Sequence, residues 1–139
     1  RIVGQDPHEK HLRKTLNLGH TVGHAIESHA LAHGRVVPHG YAVAWGLVCA
    51  LILSNRLYGF PSHIIYDLAR YVESHYGAYH ITCDDYDELL GYMQRDKKNI
   101  GAEIKFTLLR NLGQCEVSVS VSREEIEIAL DFYRDLFYL

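Results

Sequence analysis

Cysteine is scarce in this chain: Cys49, Cys83 and Cys115 lie far apart and form no CxxC pair. That spacing argues against a thiolate zinc site or a disulfide framework and fits a reduced, cytoplasmic setting. Excess charge is missing too, with 14 basic against 17 acidic residues and a formal net charge of -3. Without a basic field there is little electrostatic support for a general nucleic-acid role. Long apolar runs are also absent. The strongest, Ala42 to Leu53, is shorter than the roughly 20 residues needed to cross a bilayer and reads as a buried core helix, so no membrane partner is expected. No charged segment followed by an apolar one opens the chain, and no secretory signal is expected.

What is present is enough for one globular domain over residues 1–139, with 47% hydrophobic and 22% charged residues. The chain does not open on Met, and RIVGQDPHEK reads like the interior of a longer protein, so an N-terminal partner domain is expected. Histidine is abundant: there are ten, and His20, His24, His29, His33 and His39 fall within one short stretch. Five imidazoles cannot all hold one ion. Most are expected on the surface.

Helical punctuation dominates the chain. Asp6 and Pro7 start a first helix that can run to about Leu16, where Asn17 to Gly19 break it. A second, from about His20 to Leu31, carries Gly23 and follows Gly19, and such glycines imply a close approach by another helix or a ligand. A long apolar helix spans about Gly40 to Leu57, another about Pro61 to Tyr76, and a third about Asp85 to Lys97, capped by Asp84 and Asp85. Beyond Gly101 the period becomes two, with Ile104, Phe106 and Leu108 alternating, then Cys115, Val117, Val119 and Val121. This predicts an antiparallel pair turning at Asn111 to Gly113. Ser122 and Glu125 form a capping box for a last helix, about Arg123 to Phe137. The fold class is mainly α with a small β-hairpin.

His20, His24 and Glu27 lie at i, i+4 and i+7 and share one helix stripe. Imidazole is the commonest side-chain ligand for divalent transition metals, so the pair, with His39 just beyond the helix, points to a metal or anion site. The pattern is not HExxH, and a merely polar helix face has the same spacing. His39 heads the long helix, where it can bind a metal or cap its own helix. Arg13 and Asn17 offer an arginine fork and an amide, while Asp96, Lys97, Lys98 and Asn99 form a second polar cluster. The bland reading of the paired lysines is a solvated helix end.

Together the segments DPHEKHLRKTLNLGHTVGHAIE, PHGYAVAWG and RDKKNIGAEIKFTLLRNLG resemble, in order and composition, the C-terminal domain of the 3-dehydroquinate synthase family. The family patterns are LNxGHTxGHAIE, HGEAVAxGM and DKKNxxGxIxFxLL, and the likeness covers nearly the whole chain. Two positions depart from them: His11 stands where Gly is usual, and Tyr41 replaces the common Glu after HisGly.

The resemblance implies the helical C-terminal domain of that fold, carrying metal and substrate while NAD is bound mainly by an N-terminal domain absent from this chain. The family reaction converts 3-deoxy-D-arabino-heptulosonate 7-phosphate to 3-dehydroquinate and phosphate, in the shikimate route, with NAD and a divalent metal, zinc or cobalt. Carried over, His20 and His39 are two metal ligands, and the third is a glutamate upstream of these residues. His24 faces the substrate near its phosphate, with Asn17 and one of Lys97 and Lys98. His24 and these lysines are the catalytic candidates. Arg13 partners the substrate carboxylate, and Glu27 holds a histidine tautomer. The isolated domain is expected to be inactive and to self-associate through its uncovered face, as a homo-oligomer. Three rivals remain: another sugar-phosphate cyclase, an iron-type alcohol dehydrogenase, and a non-catalytic helical module.

Overall fold

The computed structural model describes residues 17–96, 104–111 and 114–138. A 3₁₀ turn, Asn17–Gly19, leads into helices α1 (His20–Ala32), α2 (His39–Tyr58) and α3 (Ser62–Tyr76). A second 3₁₀ turn, Cys83–Asp85, opens α4 (Tyr86–Asp96). Strands β1 (Ile104–Asn111) and β2 (Gln114–Val121) form an antiparallel pair, and α5 (Arg123–Leu136) follows. The expected helix from Asp6 to Leu16 lies outside the described residues.

Helix α2 is the central element, touching α1, α3, α5 and β1. It is apolar enough on more than one side to be buried rather than amphipathic, with Ala42, Trp45, Val48, Cys49, Ala50, Leu51, Ile52 and Leu53 all in the core. By length and composition its 20 residues pass as a membrane span, yet 56% of its apolar window is buried inside the fold. Gly59 ends it in the left-handed conformation (φ 77°), donating its N–H to the Asn55 carbonyl. Ser54 ties the helix to the hairpin, its Oγ donating to Ala50 O at 2.9 Å and accepting from Leu109 N–H at 2.9 Å.

The crossing of α1 over α2 sets the geometry of the site. A Cβ on Gly46 would lie 2.3 Å from Gly19 O and 2.7 Å from Gly23 N, and one on Gly19 would lie 2.4 Å from Val43 O. Only hydrogens fit between the two backbones there. The close approach expected of Gly19 and Gly23 is therefore made by a helix.

Three local expectations change. The cap before α4 is Thr82 rather than Asp84, because Thr82 Oγ1 accepts from Asp84 N–H while the Asp85 carboxylate accepts from Thr82 N–H in a reciprocal box. At α5, Ser122 Oγ accepts from Glu125 N–H, but the Glu125 carboxylate is committed to Arg56 at 2.7 Å. In the hairpin, Phe106 pairs with Val119 but Leu108 pairs with Glu116, a one-residue shift. Ile104, Phe106 and Leu108 stay buried, whereas the shift leaves Val117 53% exposed, so β2 does not present one continuous apolar face.

Candidate metal centre

His20 opens α1 and His24 follows one turn later, so both project from the same face of its N-terminal half. His39 opens α2, and the glycine-lined crossing brings this end against them. The His20 and His24 ring centroids lie 4.6 Å apart, and that of His39 lies 5.9 Å from the first and 6.0 Å from the second. Three imidazoles from two helices thus converge. His20 and His24 are half-buried, while the His39 side chain is 57% exposed.

Glu27, one turn beyond His24, reaches the same place: its Oε2 accepts a hydrogen bond from His39 Nδ1 at 2.9 Å. A carboxylate can only accept, so Nδ1 carries the proton and a neutral His39 keeps its lone pair on Nε2. That is the tautomer a metal needs, and a carboxylate behind a ligating imidazole is the usual way of fixing it. The donor set therefore fits a divalent transition metal.

The remaining predicted residues fall at the edge of the description. Asn17 lies in the 3₁₀ turn immediately before His20, and its side chain lies outside what is described. Arg13, Lys97 and Lys98 lie outside the described residues, although Asp96 ends α4 just ahead of the two lysines. Tyr41, which replaces an acidic residue of the family pattern, packs edge-on against Tyr76 at 4.8 Å and Trp45 at 6.1 Å.

Of the five clustered histidines, His33 and His39 are exposed, His20 and His24 are half-buried, and His29 alone is buried. His29 is 2% exposed, with Nδ1 2.7 Å from Tyr79 OH and Nε2 3.1 Å from Asp85 Oδ1. Its partners come from a loop and a turn about 50 residues later, so no local pattern announces them. Burial works against ionisation of Asp85, but the Thr82 N–H and His29 outweigh it and hold its carboxyl below the usual 3.8. Glu88 is held below its usual 4.5 by hydrogen bonds from His33 and Tyr92. Burial pushes the Cys49 thiol up to about 12, so it stays protonated in the core.

With this geometry in view, similarity to other proteins can be placed. Residues 1–99 match the family described as 3-dehydroquinate synthase C-terminal. The chain is 47% identical over 137 residues to a 3-dehydroquinate synthase of Parabacteroides distasonis, covering 99% of this chain and 39% of that protein. It is 39% identical over 142 residues to the enzyme of that name from Azotobacter vinelandii, covering 98% and 37%. A solved 2-deoxy-scyllo-inosose synthase, complexed with carbaglucose-6-phosphate, NAD+ and Co2+, superposes with a TM-score of 0.61 at 26% identity, covering 82% of this chain and 32% of that one. The chain spans well under half the length of the curated relatives it matches. A family match over 99 residues and converging histidines on two glycine-crossed helices lead to one conclusion: this chain belongs to the 3-dehydroquinate synthase C-terminal family.

Proposed function

We propose that this chain is the metal- and substrate-binding part of a 3-dehydroquinate synthase, which converts 3-deoxy-D-arabino-heptulosonate 7-phosphate to 3-dehydroquinate and phosphate. The observation that carries the reading is the convergence of His20, His24 and His39 beside Glu27. His20 and His39 are the metal ligands of this chain. A divalent cation held there supplies Lewis acidity at a substrate hydroxyl, and NAD, bound mainly by residues beyond this chain, carries the hydride.

Each remaining role belongs to a side chain. Glu27 keeps the proton on Nδ1 of His39 and so keeps Nε2 available. His24, beside both ligands but outside the metal set, holds a proton near the phosphate ester, where a leaving phosphate needs one. Asn17 and one of Lys97 and Lys98 bind the phosphate. Arg13 binds the carboxylate through its two-pronged guanidinium, which fixes orientation as well as charge. A cytoplasmic location accords with this role.

A second reading, another sugar-phosphate cyclase, is favoured by the fold shared with 2-deoxy-scyllo-inosose synthase. Arg13 separates the two, because a substrate without a carboxylate has no use for the fork.

The test is metal content and phosphate release in the full-length protein carrying this chain. His20→Ala and His39→Ala should each lose the ion and phosphate release from the heptulosonate phosphate, while His24→Ala should keep the ion and lose the rate. A His20→Ala protein with full metal content and rate would refute the assignment.

A further inference from the structure

A second group of donors lies at the other end of α1. His29 and His33, one turn apart, face Asp85 and Glu88, which sit three apart where the 3₁₀ turn passes into α4. His33 Nε2 is 2.9 Å from Glu88 Oε1, His29 Nε2 is 3.7 Å from that same oxygen, and His29 Nε2 is 3.1 Å from Asp85 Oδ1. The donor atoms of His29, His33 and Glu88 all lie within 4.8 Å of one another. Ligands of a tetrahedral Zn2+, with metal–ligand bonds of about 2.1 Å, stand roughly 3.3 to 3.5 Å apart. The 2.9 and 3.7 Å separations of the two imidazoles from Glu88 Oε1 bracket that spacing.

His29, Glu88 and the neighbouring Asp85 are also held from behind. Tyr79 OH sits 2.7 Å from the far nitrogen of His29 and accepts from Arg35 at 3.2 Å. Tyr92 OH donates to the far oxygen of Glu88 at 2.8 Å, and the Thr82 N–H donates to the far oxygen of Asp85 at 2.9 Å. Supports of this kind fix ligand orientation in metal sites. Hydrogen bonding alone accounts for each contact singly, through a proton on the Nε2 of either imidazole. It does not require two imidazoles and a carboxylate to converge, with His29 at 2% exposure. Moving the His29 proton to Nδ1 frees Nε2, and the Tyr79 hydroxyl can accept that proton's hydrogen bond as readily as donate its own.

We propose that His29, His33 and Glu88 form a second divalent transition-metal site of the Zn2+ class, separate from the three-histidine centre, with Asp85 beside His29. Two neutral imidazoles and one carboxylate are a three-ligand set that such an ion takes, its remaining position filled by water. The site clamps the C-terminal end of α1 to the start of α4, and a bound ion would stiffen this joint. It takes no part in the reaction.

Zn2+ titration of the metal-stripped full-length protein tests it, with bound metal counted by emission spectroscopy and melting followed by circular dichroism. Two ions per chain are expected, and the one lost by His20→Ala/His39→Ala identifies the three-histidine centre. His33→Ala and Glu88→Gln should each remove the other ion, weakening that step about 100-fold or more, and should abolish its share of the Zn2+-induced rise in melting temperature. Both side chains are partly exposed, at 46% and 33%, so the metal-free variants should melt as the unsubstituted protein does. Tyr79→Phe should weaken the same step by about 10-fold or more without removing a ligand. One ion per chain in all but the His20→Ala/His39→Ala protein, with His33→Ala and Glu88→Gln indistinguishable from the unsubstituted protein, would overturn the proposal.

Discussion

Glu27 Oε2 and His39 Nδ1, 2.9 Å apart, join residues on two helices, and the carboxylate determines which imidazole nitrogen is open to a ligand. Removing it by Glu27→Ala should weaken metal binding by about 10- to 100-fold, measured by chelator competition, while leaving circular dichroism unchanged. Glu27→Gln should lose less, because the amide oxygen still accepts from Nδ1. The histidine spacing was legible in the residues themselves, since i and i+4 share a face whatever the fold. Which of the five clustered histidines would be buried was not. His29 and His33 repeat the same spacing, yet one is buried and the other exposed, and the difference lies in Tyr79 and Asp85 about 50 residues away.

At the scale of elements, the glycines carry the crossing. Gly46→Ala would place a methyl carbon 2.3 Å from Gly19 O, against backbone that cannot swing aside. Even with the helix propensity gained by alanine, a net loss of about 2 kcal/mol or more is expected by urea unfolding. Metal affinity should fall with it, since α1 would be pushed off α2. Gly40→Ala, where a Cβ meets nothing within 4 Å, should be neutral or slightly stabilising.

The Arg56–Glu125 pair ties α2 to α5, and its hydrogen bond holds the Glu125 carboxyl below its ordinary 4.5. A folded-state value below the unfolded one means that the stabilisation is complete above pH 4.5 and fades as pH falls through the lowered value. The pair is partly exposed, so its worth is about 0.5 kcal/mol. The stability difference between the unsubstituted protein and Arg56→Gln should be constant at neutral pH and shrink below about pH 4.5, a trend visible in acid titration of the melting temperature.

Element boundaries followed from local chemistry. Gly59 ends α2 where a left-handed residue was needed, and Pro61 stands directly ahead of α3. The strand register did not, because the shift between Phe106 and Leu108 leaves no mark on the alternation of either strand.

For the whole molecule, the candidate metal centre opens on an outer face, where the His39 side chain is 57% exposed. Fewer than half of each relative's residues are matched here, and the two histidine ligands proposed for this chain are fewer than the three protein ligands a catalytic zinc site usually has. The isolated chain supplied with Zn2+, NAD and the heptulosonate phosphate should therefore release no phosphate above background. Steady dehydroquinate formation, followed by its absorbance or by coupled phosphate detection, would show that these 139 residues hold a complete site.

The sequence by itself determined the helical plan, the hairpin and the family likeness, and it marked His20, His24 and His39 as candidates. All of these rest on short-range periodicity, capping and motif order, which act within a few residues of chain. Tertiary structure alone decided that His39 would meet His20 and His24, that Glu27 would set its tautomer, and that His29 would be enclosed with Asp85 and Glu88. Those contacts depend on the angle and closeness of helix packing, fixed by where side chains are missing as much as by where they are present.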